Sequence, residues 1–210
     1  ALLPGISRAA HDGRLRAVAD GLASSARLAG ALVIPLAAIM FALAPRLTRL
    51  IFGFGAATSA SAAYTGYVVM GFLLGIVPFT LFYILLRGWY ALEDTRTPFF
   101  LTLGFNVVML AITVPVFYAV PDSAKVASMA VSYSIAYWCL LVVATWMLSK
   151  RLGGLAIRRT SVTLVKLAIA GMAGGVVAFA VATAMTLAIP DSGRWGLLAD
   201  LAVGGAVGAA

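Results

Sequence analysis

The residues able to do chemistry are few, and they form no catalytic set. The chain has no GxxxxGK[ST] phosphate loop, no GxSxG nucleophile elbow, no HExxH metal pair and no two carboxylates placed across a pocket-forming motif. Glu93 and Asp94 are neighbours, but they fall in a short polar turn. What remains is recognition chemistry. Arg87 finishes an apolar run, where a guanidinium can face the negative end of a helix, a lipid phosphate or an anionic substrate. Asn106 lies in the middle of another apolar run. An amide in hydrocarbon is costly without hydrogen-bond partners, which a neighbouring helix, an ion or water can supply, so a functional and a structural reading both stand. Ser132, Tyr133, Ser134 and Tyr137 give a third run a polar face, expected to turn toward other helices. Arg46 and Arg49 close a run of their own and are expected to snorkel to headgroups.

The sharpest local pattern is Leu85-Leu86-Arg87-Gly88-Trp89-Tyr90-Ala91-Leu92-Glu93-Asp94-Thr95-Arg96-Thr97-Pro98. It reads as a connector between two helices at a membrane face. Arg87 finishes the first helix, Trp89 and Tyr90 sit at the interface, and Thr97-Pro98 reads as an N-cap followed by proline in the first helical position.

The elements that must hold these residues follow from composition. The chain of 210 residues is 63% hydrophobic and 10% charged, with a mean hydropathy of +1.05. Soluble domains carry about 25% charged residues, and a soluble chain this apolar would leave large oily patches in water. Lipid as solvent removes that difficulty. A bilayer-spanning helix needs about 20 mostly apolar residues. Five runs qualify: Leu28–Ile51, Gly66–Leu86, Phe99–Val120, Val126–Leu148 and Leu167–Ile189; a sixth starts near Gly196. Strands in lipid would leave backbone groups unpaired, and the runs lack the alternation of a membrane barrel. The expected fold class is therefore all-α, a polytopic integral membrane helical bundle. Before the first run, Leu15, Val18 and Leu22 share one helical face, consistent with a short amphipathic helix at the interface or with a plain polar connector.

Pro35, Pro78 and Pro115 lie inside runs and are expected to bend them, which suits a bundle that moves. Gly71 and Gly75, and Gly171 and Gly175, place small residues four apart, the spacing of close helix packing.

Charge orients the chain. Arg46, Arg49, Lys125 and Arg194 fall on one side; the rest of the fifteen Lys and Arg, densest between Lys150 and Lys166, fall on the other. The richer side is expected to be cytoplasmic. This accounts for the net charge of +8 without nucleic acid, which is not an expected partner. One cysteine, Cys139, allows no disulfide within the chain, and one histidine, His11, argues against a histidine-built metal site. No metal is expected. Both ends read as cut from a longer protein.

At this point the residues resemble a known family. The connector through Arg87–Pro98 is similar to the one preceding the eleventh helix of the MurJ/MviN family, the lipid II flippases of bacterial cell-wall synthesis. Leu2-Leu3-Pro4-Gly5-Ile6-Ser7-Arg8 resembles that family's segment ending its eighth helix, and Ala10-His11-Asp12-Gly13 its link to the ninth. The span pattern and the charge-derived orientation fit the same family throughout. The Ala- and Arg-rich composition suggests an actinobacterial-type member.

The resemblance implies a MOP-type flippase fold, partly represented. Residues 1–27 would be the end of a helix plus a cytoplasmic amphipathic connector, and 28–148 four transmembrane helices of the C-terminal bundle. Residues 149–166 would be a basic cytoplasmic loop, and 167–210 additional C-terminal helices. It implies a transporter rather than an enzyme, in the bacterial plasma membrane, moving lipid II, an undecaprenyl-pyrophosphate-linked precursor, by alternating access. Membrane lipids are the other expected partners. No cofactor is implied, and a coupling cation, sodium or proton, stays open. Asn106 matches a polar position that helps bind sodium in some members, although Leu110 stands where they carry an acidic partner. Arg87 matches a frequently basic position. The connector residues Glu93, Asp94, Thr95, Arg96, Thr97 and Pro98 carry the motif. The alternative is another transporter of the superfamily, a polysaccharide exporter or drug/cation antiporter.

Overall fold

The computed structural model describes residues 14–53, 59–188 and 193–209. Six helices make up these residues: α1 (Leu15–Phe52), α2 (Ser59–Ala91), α3 (Arg96–Ala119), α4 (Lys125–Arg151), α5 (Ile157–Ala188) and α6 (Gly193–Ala209), with a single 3-10 turn at Asp122–Ala124 leading into α4. Among the described residues there is no strand, and five of the helices are long and apolar enough to cross a membrane. The segments Leu2–Arg8 and Ala10–Gly13, with His11, and the small-residue stretch 54–58 lie outside the described residues.

In space the helices run in the order α3, α4, α2, α1, α5, α6. The central pair, α1 and α2, carries α4 and α3 on one side and α5 and α6 on the other. One apolar core joins the N-terminal half of α1 (Val18, Leu22) to α2, α3 and α4 through Phe82, Trp89, Phe105, Leu140 and Leu148. A smaller one joins Ile39 and Leu43 of α1 to Ala178 and Ala182 of α5.

The separate interfacial helix is not there. Residues 15–27 are the opening turns of α1, which runs 38 residues. At 1.5 Å per residue that is about 57 Å, against a hydrocarbon core of about 30 Å, so α1 projects well beyond the bilayer. The stripe, read as either an interfacial face or part of a polar connector, meets protein instead: Val18 and Leu22 are buried among Trp89 and Leu148.

The small-residue pairs are packing faces, as their spacing predicts. A methyl group on Gly71 would lie 2.8 Å from Ala130 Cβ, and one on Gly75 2.5 Å from Ser134 Oγ, so α2 and α4 meet nearly backbone to backbone. Ser134 locks this seam by donating its hydroxyl to the Gly71 carbonyl at 2.6 Å. Gly171 and Gly175 meet α1 at Pro35 and Ala38, while Gly174 between them abuts Gly208 of α6. The polar face of α4 does turn inward. Ser132, Ser134 and Tyr137 are buried, and Tyr133 and Tyr137 pack against Phe72 and Phe79 of α2 and Phe105 of α3.

Pro78 shows how a proline is carried in a membrane helix. It is fully buried within the unbroken α2, and lacking an N–H it leaves the Leu74 carbonyl without its helical donor. Trp138 of α4 supplies the missing donor, its indole Nε1 lying 3.1 Å from Leu74 O. Trp138→Phe is therefore expected to cost about 1 kcal/mol or more through the orphaned carbonyl. In a Pro78→Ala background, where the alanine N–H restores the helical bond, the same change should cost far less. Thermal unfolding of the four proteins in one detergent checks this, and equal costs in the two backgrounds would contradict it.

Candidate functional site

The connector between α2 and α3 is built from two helix ends and one carboxylate. α2 closes with a turn in which the Asp94 N–H donates to Trp89 O at 3.0 Å and the Glu93 N–H to Tyr90 O at 3.1 Å. This closure requires a left-handed residue, and Glu93 takes it, with φ of 58°. α4 ends in the same manner with Gly153 at φ 72° and the Gly154 N–H bonded to Ser149 O at 2.9 Å.

Asp94, rather than Thr97, caps α3. Its Oδ1 accepts the backbone N–H groups of Arg96 at 3.1 Å and Thr97 at 3.0 Å, and its Oδ2 accepts the Thr97 hydroxyl at 2.8 Å. The helix consequently starts at Arg96, and Pro98 occupies its third position, where a missing N–H still costs nothing. The Thr97 hydroxyl serves the cap instead of being it, because a carboxylate is the stronger acceptor. The same Oδ2 takes Arg151 Nη1 at 2.7 Å. Arg151 is the last residue of α4 and its guanidinium also lies 5.9 Å from the centre of the buried Trp89 ring. One side chain thus ties the end of α2, the start of α3 and the end of α4.

The electrostatics follow. The backbone N–H and hydroxyl of Thr97, helped by Arg151, hold the Asp94 carboxyl below its ordinary value of 3.8 despite partial desolvation. A group depressed in the folded state contributes stability that is fully present above its unfolded pKa and is lost as pH falls through the folded value. The difference in melting temperature between wild type and Asp94→Asn should accordingly stay constant from pH 8 to pH 5 and shrink only below about 3.8. A difference that already fades at pH 6 would show that another group controls the junction.

The other sequence candidates lie apart from this knot. Arg87 is exposed, and α2 continues one turn past it to Ala91, so it does not stand in the last turn. Asn106 is exposed on α3, and its Nδ2 donates to the Thr102 carbonyl one turn back at 2.8 Å. Among the described residues it makes no hydrogen bond to another helix, and Leu110 shares its exposed face. α3 buries only Pro98, Leu101 and Phe105, leaving a broad face with Asn106 on it uncovered. Thr95 and Arg96 are exposed at the connector. Arg46 does not snorkel: its Nη2 donates to Thr183 of α5 at 2.8 Å, and its guanidinium lies 5.1 Å from the centre of the Phe179 ring.

Sequence reasoning missed Arg151 and Trp138. Arg151 carried a usable signal, a cation ending a helix just before Gly153-Gly154. Trp138 carried none, since its partner is a carbonyl on a helix more than sixty positions away.

The contacts sort the helix ends as the loop charges do. Asp94–Arg151 and Arg27–Thr160 join the basic end. Asp122–Lys125 and the bond from the Ala127 N–H to the Tyr64 hydroxyl join the other.

A sequence profile of the lipid II flippase MurJ family matches residues 1–192. Among curated proteins, the chain is 29% identical over 137 residues to the probable lipid II flippase MurJ of Buchnera aphidicola subsp. Baizongia pistaciae, covering 65% of this chain and 26% of that protein. It is 29% identical over 146 residues to the probable lipid II flippase MurJ of Rhizobium meliloti, covering 69% and 26%. With the probable lipid II flippase MurJ of Thermotoga maritima the identity is 28% over 102 residues, covering 49% and 22%. The chain thus spans about a quarter of the length of the curated relatives it matches. Its fold is similar to a solved lipid II flippase MurJ in an inward closed conformation, with a TM-score of 0.69 at 15% identity over 99% of this chain and 40% of that one. Joined to the five apolar helices, these matches establish that the chain belongs to the lipid II flippase MurJ family and crosses the bacterial inner membrane repeatedly.

Proposed function

We propose that the protein carries lipid II from the inner to the outer leaflet by alternating access, making and breaking no covalent bond. The observation that carries this reading is the family match over residues 1–192. The geometry is compatible with it. The Asp94 knot makes the cytoplasmic ends of α2, α3 and α4 one body, and a rocking transporter moves rigid bodies against each other. The cargo is a pyrophosphate with a large polar head, so a basic lining is the physical requirement.

Arg87 and Asn106 are the side chains we assign to the cavity side, since both are exposed on helices of this bundle. The connector Glu93–Pro98 acts as positioning machinery for α3. Asn106 is also the candidate for contact with a coupling cation, with Leu110 in the place of the acidic partner. Membrane lipids are the remaining partners. The polysaccharide-exporter or antiporter alternative is not favoured, because the family profile, the curated relatives and the structural neighbour all bear the same name.

Depleting the intact protein in cells without a second flippase should stop lipid II from reaching the outer leaflet. Asn106→Leu should lower delivery at least several-fold with expression and melting temperature unchanged. Normal delivery after depletion would overturn the function. Normal delivery by Asn106→Leu would remove only that residue from the site.

A further inference from the structure

Two parts of the bundle are built around separate cores. α1, α2, α3 and α4 share the larger one, and among the described residues nothing from α5 or α6 belongs to it. The smaller core joins Ile39, Leu43 and Leu47 of α1 to Ala178 and Ala182 of α5 and Leu201 of α6, and takes nothing from α2, α3 or α4. Among the described residues, α5 and α6 come into backbone contact with α1 and with each other only. α1 is thus the one helix common to both parts.

The seams differ in the same sense. α2 and α4 are pinned at three levels by bonds to backbone groups: the Ala127 N–H donates to the Tyr64 hydroxyl at 3.4 Å, the Ser134 hydroxyl to Gly71 O at 2.6 Å and the Trp138 indole to Leu74 O at 3.1 Å. A methyl group on Gly71 or Gly75 would clash with α4 at 2.8 or 2.5 Å. α5 and α6 are equally close, since a methyl group on Gly208 would lie 2.6 Å from Gly174 O and one on Gly204 2.9 Å from Ala178 O. The seam between α1 and α5 is looser. A methyl group on Gly171 would come no nearer to α1 than 3.3 Å, and one on Gly175 no nearer than 3.0 Å. Leu164 of α5 covers Gly30 with the free end of its side chain, which can move. The side-chain bonds across this seam sit at its two ends, Arg27 to Thr160 at 3.4 Å and Arg46 to Thr183 at 2.8 Å, each made to a hydroxyl that can turn. The chain passes from α4 to α5 through residues 152–156, where Gly153 and Gly154 have φ of 72° and 125° and a Cβ on either would meet nothing within 4 Å. These contacts lie inside the bundle, so they hold whatever covers its outer faces in the full-length protein.

We propose that α5 and α6 form a second rigid body that slides on α1, with the α1–α5 seam as the slip plane of this bundle. Packed helices shear where small side chains face each other and few bonds oppose the movement, and this seam alone combines the two among the described residues. The proposal rests on the flippase reading: the slip accompanies the passage between inward and outward openings.

A reversible tie across the seam tests this in the full-length protein with its native cysteines replaced. A Cβ on Gly175 lies 3.8 Å from that of Ala38, inside the range of about 3.5–4.5 Å that a disulfide bridges. Oxidation of Ala38→Cys/Gly175→Cys with copper phenanthroline should lower lipid II delivery about tenfold or more, because a tied slip plane blocks a step that every turnover needs. Dithiothreitol should restore delivery, and the two single variants should be indifferent to the oxidant. Ala38→Cys/Gly171→Cys, with Cβ atoms 3.4 Å apart, is the second pair should the first not accumulate. Full delivery by a completely cross-linked pair would overturn the proposal while leaving the flippase reading intact. Loss in both pairs that dithiothreitol does not reverse would also overturn it, by tracing the defect to packing. No delivery by wild type run beside them would overturn the flippase reading itself, and the proposal with it.

Discussion

Replacing Gly75 with valine should separate α2 from α4 and prevent folded protein from accumulating. An added Cβ would lie 2.5 Å from Ser134 Oγ and 2.9 Å from Ser134 Cα. The hydroxyl could rotate, but the Cα is backbone and cannot yield without moving the helix. Overpacking of this kind costs about 1–3 kcal/mol for a small insertion, and valine adds two more methyl groups to the same contact. Separation would also break the bond from Ser134 to the Gly71 carbonyl. Gly104 provides the matched control, because a methyl group there meets nothing within 4 Å. Gel filtration and thermal unfolding in detergent should show Gly75→Val aggregated or strongly destabilised, Gly75→Ala intermediate and Gly104→Val close to wild type. Equal behaviour of Gly75→Val and Gly104→Val would mean that the α2–α4 seam is not the contact described.

Trp89→Ala should be the most damaging change at the connector end of the bundle, costing about 3–5 kcal/mol, the usual range for emptying a large aromatic site. Trp89 is 1% exposed and shares its core with Val18, Leu22, Leu148 and Leu152. It also seats the connector, since its carbonyl accepts the Asp94 N–H and its ring lies beneath Arg151. Trp89→Phe should cost much less. The indole Nε1 is buried without a hydrogen-bond partner among the described residues, so phenylalanine loses volume but no bond. Denaturation of the two variants side by side distinguishes packing from polar anchoring. Equal damage from both would show that the indole N–H holds something the packing does not reveal.

How much of this could be read from the sequence depends on the range of the interaction. The spans were legible because hydrocarbon imposes length and composition on every crossing helix, whatever it packs against. The packing role of Gly71 and Gly75 was legible because a four-residue spacing is local. The merging of residues 15–27 into α1 was not, since a stripe formed by Leu15, Val18 and Leu22 looks the same whether lipid or Trp89 covers it. The capping of α3 was misread by three residues. Thr97-Pro98 has the form of a helix start, but Asp94 wins because its carboxylate can accept two backbone donors and Arg151 together. Arg46 and Trp138 were opaque for the same reason: their partners, Thr183 and the Leu74 carbonyl, lie on other helices. Asn106 was recognised as costly in lipid. The sequence does not say which surface it meets, and α3 leaves that face open.

The claim beneath the whole account is that these helices cross a bilayer with the loop between α4 and α5 inside the cell. Site-directed labelling measures this directly in the full-length protein, with its native cysteines, Cys139 among them, replaced by alanine and single cysteines placed at Ala156 or Asp122. With a membrane-impermeant maleimide, Asp122→Cys should be labelled in intact cells and Ala156→Cys only after permeabilisation. Labelling of Ala156→Cys in intact cells, or of both positions alike, would contradict the crossing and everything built on it.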